Sequence, residues 1–495
     1  MLWVFAALAC RLRGGEPPAG DALIAWGDDH DGDGYAQSVD DCDDHDEDVH
    51  PGAHETCGNG RDDNCNGTPD GCDWSGEHVL VGTELSGTEA HSAMGASLAV
   101  CDANGDDVDD VVTVAPYYDD VAGAVYVFYG PITADRDATH ADYTLLGGEE
   151  NQLAGLFVEC RRDVDGDGIA DVLVGEPSRE VGGTGGKVYV VPGGGVGRDY
   201  IASGASSVWT GADSSDRLGY DLVAIAADDD PTDELAAAVG PNTVGPNRFG
   251  AVYVFDDAEP GVHDSDDAAA YVYGAKGDRV DFVVGNAGDL DGDGWEELVV
   301  TGNDRVVAEV LVFRAPFVGP ISKSDADARI VGGEAGDVWS GIGQADLDND
   351  GRDDLFVANP NDRQVGKAYA FFSPIEQDTN VADADMGIAA DEEHYDVGSD
   401  VTSPGDVDGD GAADLLVGAP GNGGVFLLYG GGAGAYDLAT DAQAWWQSGN
   451  EASWAGGTIG AGDVTGDGIV EFVIGAANAG EQHKGSITIV PGFRI

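Results

Sequence analysis

A short acidic segment recurs along the 495-residue chain at a nearly constant spacing. Its copies begin at residues 102, 163, 228, 289, 346, 406 and 463, about 60 residues apart, which is a spacing typical of repeat architectures. They read DANGDDVDD, DVDGDGIAD, DDDPTDE, DLDGDGWEE, DLDNDGRDD, DVDGDGAAD and DVTGDGIVE. In such architectures each repeat is one structural unit that packs against its neighbours. The spacing therefore predicts seven similar units rather than a set of unrelated domains.

Short apolar segments surround the acidic copies. Small residues come before each copy, as in 94–100, and a strand of buried type follows six copies, as in 414–420. A strand of the form VYVF then follows, as in 125–128, and a fourth strand ends in Gly, as in 143–148. Gly makes up 78 of 495 residues, which indicates many tight turns. Four short strands of β-branched and aromatic residues per repeat favour propeller blades over a sandwich.

The predicted fold is therefore all-β: a seven-bladed β-propeller of four-stranded blades over residues 78–495. The chain ends after a third-type strand in 486–495, whereas an unmatched fourth-type strand, HVLVG, stands at 78–82 before the first repeat. Pairing these two segments would complete the last blade and remove an exposed strand edge. We therefore expect residues 78–82 to close the ring.

The acidic copies have the composition of calcium loops. A hard dication prefers six to eight oxygen ligands, and a tight loop can supply them from positions 1, 3, 5 and 9 with a backbone carbonyl at 7. Asp and Gly also form ordinary turns, but turn formation does not explain acids at alternate positions in six copies. The predicted metal ligands are Asp102, Asn104, Asp106 and Asp110; Asp163, Asp165, Asp167 and Asp171; Asp289, Asp291, Asp293 and Glu297; Asp346, Asp348, Asp350 and Asp354; Asp406, Asp408, Asp410 and Asp414; and Asp463, Thr465, Asp467 and Glu471.

Two copies depart from the pattern. The third has Asp228 and Asp230 followed by Pro231 and no glycine, so we expect it to be empty or weak. In the seventh, Thr465 replaces the second acid, which weakens that site without abolishing it. An EF-hand would need an acid at position 12, where Val174 and Val300 stand inside strands. The expectation is about six calcium sites in the propeller, with EF-hands excluded there.

The repeats resemble the FG-GAP repeats of the integrin α-subunit propeller. The Gly-Ala-Pro of that name stands at 418–420, and variants stand at 175–177, 240–241 and 475–477. The resemblance covers residues 78–495. It implies an extracellular propeller that binds calcium in the hairpin loops of one face and uses the opposite or lateral surface for protein or glycan ligands.

The segment 21–77 forms a separate Asp/Cys-rich module. Asp29, Asp31, Asp33 and Asp40 fall at positions 1, 3, 5 and 12 of an EF-type loop, which predicts one further calcium site. The stretch 41–72, with DCDD, HPGAHETC and DDNCNG, resembles the metal-binding motif of bacterial surface proteins, known also from a copper-associated outer-surface protein. Residues 1–20 are predicted to be an export signal or lipoprotein-like leader, with Cys10 as a candidate for a lipid anchor.

Cysteine usage favours an oxidising compartment. The four cysteines of the module favour two disulfides, with a four-thiolate zinc site as the competing interpretation: Cys42, Cys57, Cys65 and Cys72. Cys101 and Cys160 stand just before loops one and two. They are either buried small hydrophobic residues or a disulfide between neighbouring blades, and both alternatives stay open at this point.

Charge narrows the classes of partner. The chain has 22 Lys and Arg against 94 Asp and Glu, a net charge of −72, which disfavours nucleic acids and anionic membranes. No stretch approaches ~20 apolar residues, so no transmembrane helix is expected. GGTGGK at 182–187 is followed by Val188 instead of the Ser or Thr of a phosphate loop.

The predicted function is a non-catalytic adhesion or protein-interaction module that is secreted or displayed on a cell surface, with a bacterial outer surface favoured. One alternative is a calcium-dependent, lectin-like carbohydrate binder, and a second is a hydrolase-associated propeller. Exposed tryptophans would favour the lectin, and the candidates are Trp209, Trp295, Trp339, Trp445, Trp446 and Trp454.

Overall fold

The structure, a computed structural model, describes residues 49, 76–148, 153–177, 185–213, 216–228, 232–240, 250–256, 260–274, 279–303, 308–332, 339–360, 366–390, 396–421, 423–448 and 453–492. Seven five-stranded sheets make up this part of the chain. They are the blades of a seven-bladed β-propeller, which confirms the predicted fold class. The predicted calcium ligands Asp29, Asp31, Asp33 and Asp40, and the module cysteines Cys42, Cys57, Cys65 and Cys72, lie outside the described residues.

Each blade begins with three antiparallel strands joined in chain order. The first strands, which line the central channel, are Leu98–Cys101, Val158–Glu159, Leu218–Ile225, Arg279–Asn286, Ile342–Ala345, Val401–Gly405 and Ala455–Gly462. The second strands are Asp110–Ala115, Val172–Glu176, Glu234–Val239, Leu298–Asn303, Asp354–Asn359, Asp414–Ala419 and Glu471–Ala476. The third strands are Ala124–Phe128, Lys187–Val191, Ala251–Phe255, Ala308–Phe313, Lys367–Phe371, Gly424–Leu428 and Ser486–Val490. Second strands are buried along their whole length, which explains their continuous apolar sequence.

A fourth strand completes the antiparallel part of each blade. In blades one to seven these strands are Tyr143–Leu146, Ser207–Thr210, Ala270–Tyr273, Ala328–Gly332, Met386–Ala389, Ala444–Gln447 and Thr83–Ser86. A fifth strand, parallel to the fourth, lies at the outer edge. In the same order the fifth strands are Gly197–Tyr200, Gly261–Asp264, Gly319–Ser322, Thr379–Asn380, Gly434–Asp437, Gly76–Val79 and Arg136–Asp137.

The fifth strands correct the predicted blade of four. Each fifth strand is contributed by the chain segment that leads into the fourth strand of the following blade, so neighbouring blades are interlocked. These strands are short and polar, as in GRDY and GVHD, and therefore carry no alternating apolar pattern.

Within the described residues, each helix is a single turn of three or four residues. Most of them join a fifth strand to the next fourth strand, and an Asp, Ser or Asn caps several of them, as Asp264 does by accepting from the N–H of Asp266 at 3.0 Å. The turns are Tyr118–Val121, Ala138–His140, Ile201–Gly204, Ser265–Asp267, Lys323–Asp325, Val381–Asp383 and Leu438–Asp441.

The ring is closed by the N-terminal segment, but not by the residues predicted. Thr83–Ser86 pairs antiparallel with Ser486–Val490, Leu85 opposite Ile487, and supplies the fourth strand of blade seven. Residues 78–79 instead belong to the fifth strand of blade six, parallel to Ala444–Gln447. The apolar pattern of HVLVG was misleading because Val79 and Val81 are each 67% exposed, whereas Leu85 is fully buried.

Seven apolar clusters stabilise the ring, one between each pair of neighbouring blades. The cluster between blades seven and one contains Leu85 and Ile487, so the closing strand is anchored in a core. The cluster between blades one and two contains Cys101 and Cys160, which form a disulfide. Of the two alternatives that the sequence left open for these cysteines, the disulfide is the one found.

Candidate metal centres

The acidic loops all connect a first strand to a second strand, so they lie at the same end of the ring. In the second loop the Asp163 carboxylate accepts hydrogen bonds from the backbone N–H groups of Gly166 at 2.7 Å, Asp167 at 3.0 Å and Gly168 at 2.8 Å. The first acid of the other predicted loops accepts equivalent bonds. Position 1 therefore folds the loop around its own carboxylate.

Positions 4 and 6 need a left-handed backbone, which explains the glycines. Gly166 and Gly168 have φ values of 79° and 90°. Where another residue stands at these positions it is Asn349 or Asp107, with φ values of 60° and 67°. Asn and Asp are the non-glycine residues that tolerate this region best. The loop geometry is therefore kept when glycine is absent.

The acid at position 9 lies at the start of the second strand and is buried in all six predicted loops. In the second loop Asp171 Oδ2 accepts from the N–H groups of Val164 and Asp165, both at 2.9 Å. Asp171 Oδ1 is buried with no hydrogen-bond partner, and the same holds for Glu297 Oε1, Asn104 Oδ1 and Asp165 Oδ1. Buried oxygens at positions 3 and 9 that have no donor within the protein fit a loop that binds a cation.

Burial also changes the acidity of position 9. Desolvation, together with the charge of the neighbouring loop carboxylates, raises the pKa of Glu297 to about 8 and that of Asp171 to about 7. The pKa is raised to about 7, mainly by burial, for Asp110, Asp354, Asp414 and Glu471. A cation in the loop would remove the cost of ionising these groups.

Four of the predicted loops bring three carboxylate oxygens within 4.8 Å of one another. The groups are Asp163, Asp165 and Asp171; Asp289, Asp291 and Asp293; Asp346, Asp348 and Asp354; and Asp406, Asp408 and Asp414. Position 5 folds the loop as well, since Asp167 Oδ1 accepts from the N–H of Ile169 at 2.9 Å. The residues present thus fit a small hard dication, and together with the N-terminal motif they indicate metal binding.

Loops one and seven offer fewer carboxylates because Asn104 and Thr465 stand at position 3. In loop seven both oxygens of Glu471 are engaged by Thr465, through its N–H at 3.0 Å and its hydroxyl at 3.3 Å. This contact supports the expectation that the seventh site is weaker, which stays a prediction.

The third loop contains an acid that was not among the predicted ligands. Asp228 and Glu234 lie within 4.8 Å of a carboxylate oxygen of Asp256, which follows the third strand of blade three. The sequence signal for Asp256 was an acid placed directly after a VYVF strand. Asp230 and Pro231 lie outside the described residues, and the weak third site stays a prediction.

The acid at position 8 has a role that the predicted ligand pattern did not include. Asp109 Oδ2 accepts from the N–H of Asp463 in blade seven at 2.8 Å, and Glu296 Oε2 accepts from the N–H of Ala226 in blade three at 2.9 Å. Asp353 Oδ2 accepts from the N–H of Asp289 at 3.3 Å. Position 8 therefore joins a loop to the adjacent blade, and the doubled acids DD and EE at positions 8 and 9 were its sequence signal.

Comparisons with known proteins agree with this architecture. Residues 94–128, which include loop one, match a family model described as FG-GAP repeat, and residues 41–71 match the Cu-binding MopE model, described as "Putative metal-binding motif". Integrin alpha-3 of Cricetulus griseus is 33% identical over 110 residues, 21% of this chain and 10% of that protein. Integrin alpha-5 of Xenopus laevis is 30% identical over 151 residues, 27% of this chain and 14% of that protein.

Fold and loops define a seven-bladed β-propeller whose acidic loops lie at one end and have the composition and geometry of candidate metal sites. With the matched repeat and the integrin relatives, the ring is similar to the FG-GAP propellers of integrin α chains, and residues 41–71, which precede the ring in the sequence, match a metal-binding motif. The matched region spans only 10% of integrin alpha-3, so the activities and partners of whole integrins are not transferred from it. Within the described residues no helix has the length and apolarity to cross a membrane.

Proposed function

We propose that the propeller binds calcium in about six of its acidic loops and that calcium stabilises the ring. Two observations support this proposal: orphaned, buried oxygens stand at position 3 or 9 of loops one, two and four, and three carboxylates converge in loops two, four, five and six. Such groups are hard oxygen ligands held close together by the fold. A further calcium site is proposed in the N-terminal module at Asp29, Asp31, Asp33 and Asp40. Calcium bound to the folded state alone would stabilise it by mass action.

Calcium titration of chelator-treated protein tests this proposal. Isothermal calorimetry should detect binding of several calcium ions, and magnesium should bind more weakly because it dehydrates reluctantly and prefers octahedral sites. The matched pair of variants is Asp171→Asn, which changes a predicted ligand, and Asp107→Asn, which changes a loop acid at the non-ligand position 6. Fewer bound ions are expected for Asp171→Asn only. A chelated protein that takes up no calcium would refute the proposal.

We propose that the protein acts outside the cell as a non-catalytic adhesion or protein-interaction module, secreted or held at a cell surface. The integrin relatives support this proposal, and so does the shape of the ring. Its acidic loops lie together at one end of the ring, and the partner is proposed to contact the described residues of the opposite end. The strongly acidic surface disfavours nucleic acid as that partner.

Two measurements test this role. Protease treatment of intact cells that express the full chain should remove it if it is displayed on the surface. Beads coated with the chain should bind members of a panel of purified extracellular proteins in calcium and lose them in chelator. Complete protection from protease together with absence from the medium would contradict the proposed location, and equal bead binding in calcium and chelator would contradict a calcium-supported interaction.

A further inference from the structure

The six tryptophans considered as candidate sugar contacts have different environments. Trp209, Trp339 and Trp446 are buried at 4%, 2% and 3% exposure between blades. Trp445 stacks on Phe426 with ring centroids 5.5 Å apart, and Trp295 is half-buried. Trp454 is 56% exposed, and its indole contacts no other ring in the part of the chain that the structure describes. It is therefore the candidate that packing does not explain.

The backbone conformation at position 454 makes a tryptophan there unusual. Its φ is 59°, in the left-handed region that favours Gly, Asn and Asp and disfavours bulky side chains. Trp454 stands two residues before Gly456, a glycine of positive φ at the entry to the blade. The residue at the equivalent place has the same conformation in four other blades, where it is Ala93, Leu153, Arg217 and Asp396. The fold thus requires a left-handed residue here but not an aromatic one. A tryptophan that is both strained and exposed points to contact with a ligand.

A cavity of about 410 Å³ opens beside Trp454 on the face opposite to the metal loops. It is formed by the connections of blades six, seven and one, and Tyr117, which is 46% exposed, lines it together with Trp454. Its volume falls within the range of small-molecule sites. Both of these aromatic side chains combine an apolar ring with a polar group.

The polar groups of the cavity are uncharged. Ser399 and Thr458 donate their hydroxyl hydrogens to the carbonyls of Asp396 at 3.0 Å and Gly95 at 3.0 Å, which leaves their oxygen lone pairs available as acceptors. The Asn478 carboxamide has no hydrogen-bond partner within the described residues. None of the described residues that line the cavity carries a charge, in a chain with 94 Asp and Glu.

We propose that this cavity binds a neutral saccharide. A sugar ring has an apolar face that stacks on an indole or phenol and a rim of hydroxyls that both donate and accept hydrogen bonds. The cavity supplies both kinds of contact and supplies no charge to pair with an ionic ligand. This inference goes beyond the proposed function, because it assigns a ligand class to the opposite face and does not depend on metal in the loops.

The test is a titration of the full chain, in calcium-containing buffer, with neutral oligosaccharides built from glucose, galactose or mannose. Saturation-transfer NMR and intrinsic tryptophan fluorescence report binding. Trp454→Ala and Tyr117→Ala should each weaken binding at least about tenfold, because truncating a central aromatic contact commonly has this effect. Tyr200→Ala is the matched control, because Tyr200 is 57% exposed but lies on the outer edge of blade one. This variant should bind the saccharide as tightly as the unaltered protein does.

Four outcomes would overturn the assignment: no neutral saccharide binds, Trp454→Ala binds unchanged, a sialylated oligosaccharide binds as tightly as its neutral counterpart, or an apolar peptide occupies the cavity instead. Equal melting temperatures for the variants and the control exclude loss of fold as the cause of weaker binding. Calcium uptake is measured on the same preparations. Saccharide binding without calcium uptake would refute only the proposed metal sites, and calcium uptake without saccharide binding would refute only this inference.

Discussion

The carboxyl group at position 9 links the loop chemistry to stability. It is buried, and where one oxygen is orphaned the ionised form is compensated only by the backbone N–H groups that bond its other oxygen. The sequence predicts this residue as a ligand, because an acid directly before a buried strand recurs at a fixed distance from the first acid of the loop. The sequence does not show the separate role of position 8, which is also an acid in several copies, because only the packed ring shows that it bonds to the neighbouring blade.

Asp171→Asn should raise the melting temperature without calcium and lower it with calcium. Burial raises the pKa of Asp171 to about 7, so at pH 8 without calcium its ionisation destabilises the fold and the neutral variant should melt higher. In calcium the same variant lacks a ligand and should melt lower than the unaltered protein. Differential scanning calorimetry in chelator and in calcium measures both. A shift of the same sign in both buffers would show that Asp171 is not a ligand.

Glu159 gives a pH dependence that does not involve the metal loops. It lies on the channel, and its Oε2 accepts from the N–H of Ala224 at 2.7 Å. Desolvation raises its pKa to about 7, against the opposing effect of Arg161 and Arg162 and with a contribution from Glu296. A raised carboxyl pKa means that the folded state holds the proton more tightly than the unfolded chain does. The contribution of Glu159 to stability therefore falls as the pH rises from the pKa of the carboxyl in the unfolded chain to about 7.

Glu159→Gln should remove this dependence while its amide oxygen keeps the bond to Ala224. The melting temperature of the variant relative to the unaltered protein should rise between pH 5 and pH 8. Thermal melts across this range, in chelator so that metal affinity does not contribute, measure the difference. A difference that is independent of pH would mean that Glu159 ionises normally in the folded protein.

At the scale of elements, the strands with a continuous or alternating apolar pattern were predictable and the edge strands were not. The second strands, such as Asp414–Ala419, read as buried because both of their faces are covered by neighbouring blades. The fifth strands are exposed and polar, and their pairing depends on where the preceding blade places its fourth strand. The same effect misplaced the closing strand, since residues 78–79 end a fifth strand, Leu80 and Val81 lie beyond it, and the actual closing strand contributes one fully buried side chain, Leu85.

Leu85→Ala and Val81→Ala distinguish the two closing segments. Leu85 is fully buried opposite Ile487, so its truncation should destabilise the ring by about 2–5 kcal/mol, the usual range for a buried leucine. Val81 is 67% exposed, and its truncation should stay within about 0.5 kcal/mol. Urea unfolding in calcium gives both values. A larger effect for Val81 would place the closing strand at 78–82 after all.

The disulfide between blades one and two should contribute measurably to the free energy of unfolding. Replacing both Cys101 and Cys160 by Ala should lower the free energy of unfolding by about 2–4 kcal/mol, the typical contribution of a disulfide. Both residues are buried, so the alanine pair remains compatible with the core. Urea unfolding of the oxidised protein against the double variant measures the difference, and equal values would show that the bond does not constrain the ring.

For the whole molecule, closure makes stability a collective property. Every blade packs on two neighbours, and Thr83–Ser86 pairs with Ser486–Val490 in blade seven. Calcium should therefore raise the melting temperature of the entire ring as one transition, with each site adding ~2.7 kcal/mol at a ligand concentration 100 times its dissociation constant. Calorimetric scans with calcium and with chelator test this, and a melting temperature that chelator leaves unchanged would contradict it.

The sequence by itself determined the number of blades, the position of each acidic loop and the residue types in it. These features depend on short-range patterns that recur in each repeat. The tertiary structure decided the features that depend on a neighbouring blade: the fifth strands, the five-residue shift of the closing strand, the Cys101–Cys160 bond, the approach of Asp256 to loop three and the contacts of position 8. The tertiary structure also decided which tryptophan is exposed. Burial between blades depends on packing against the neighbouring blade and cannot be deduced from the local sequence.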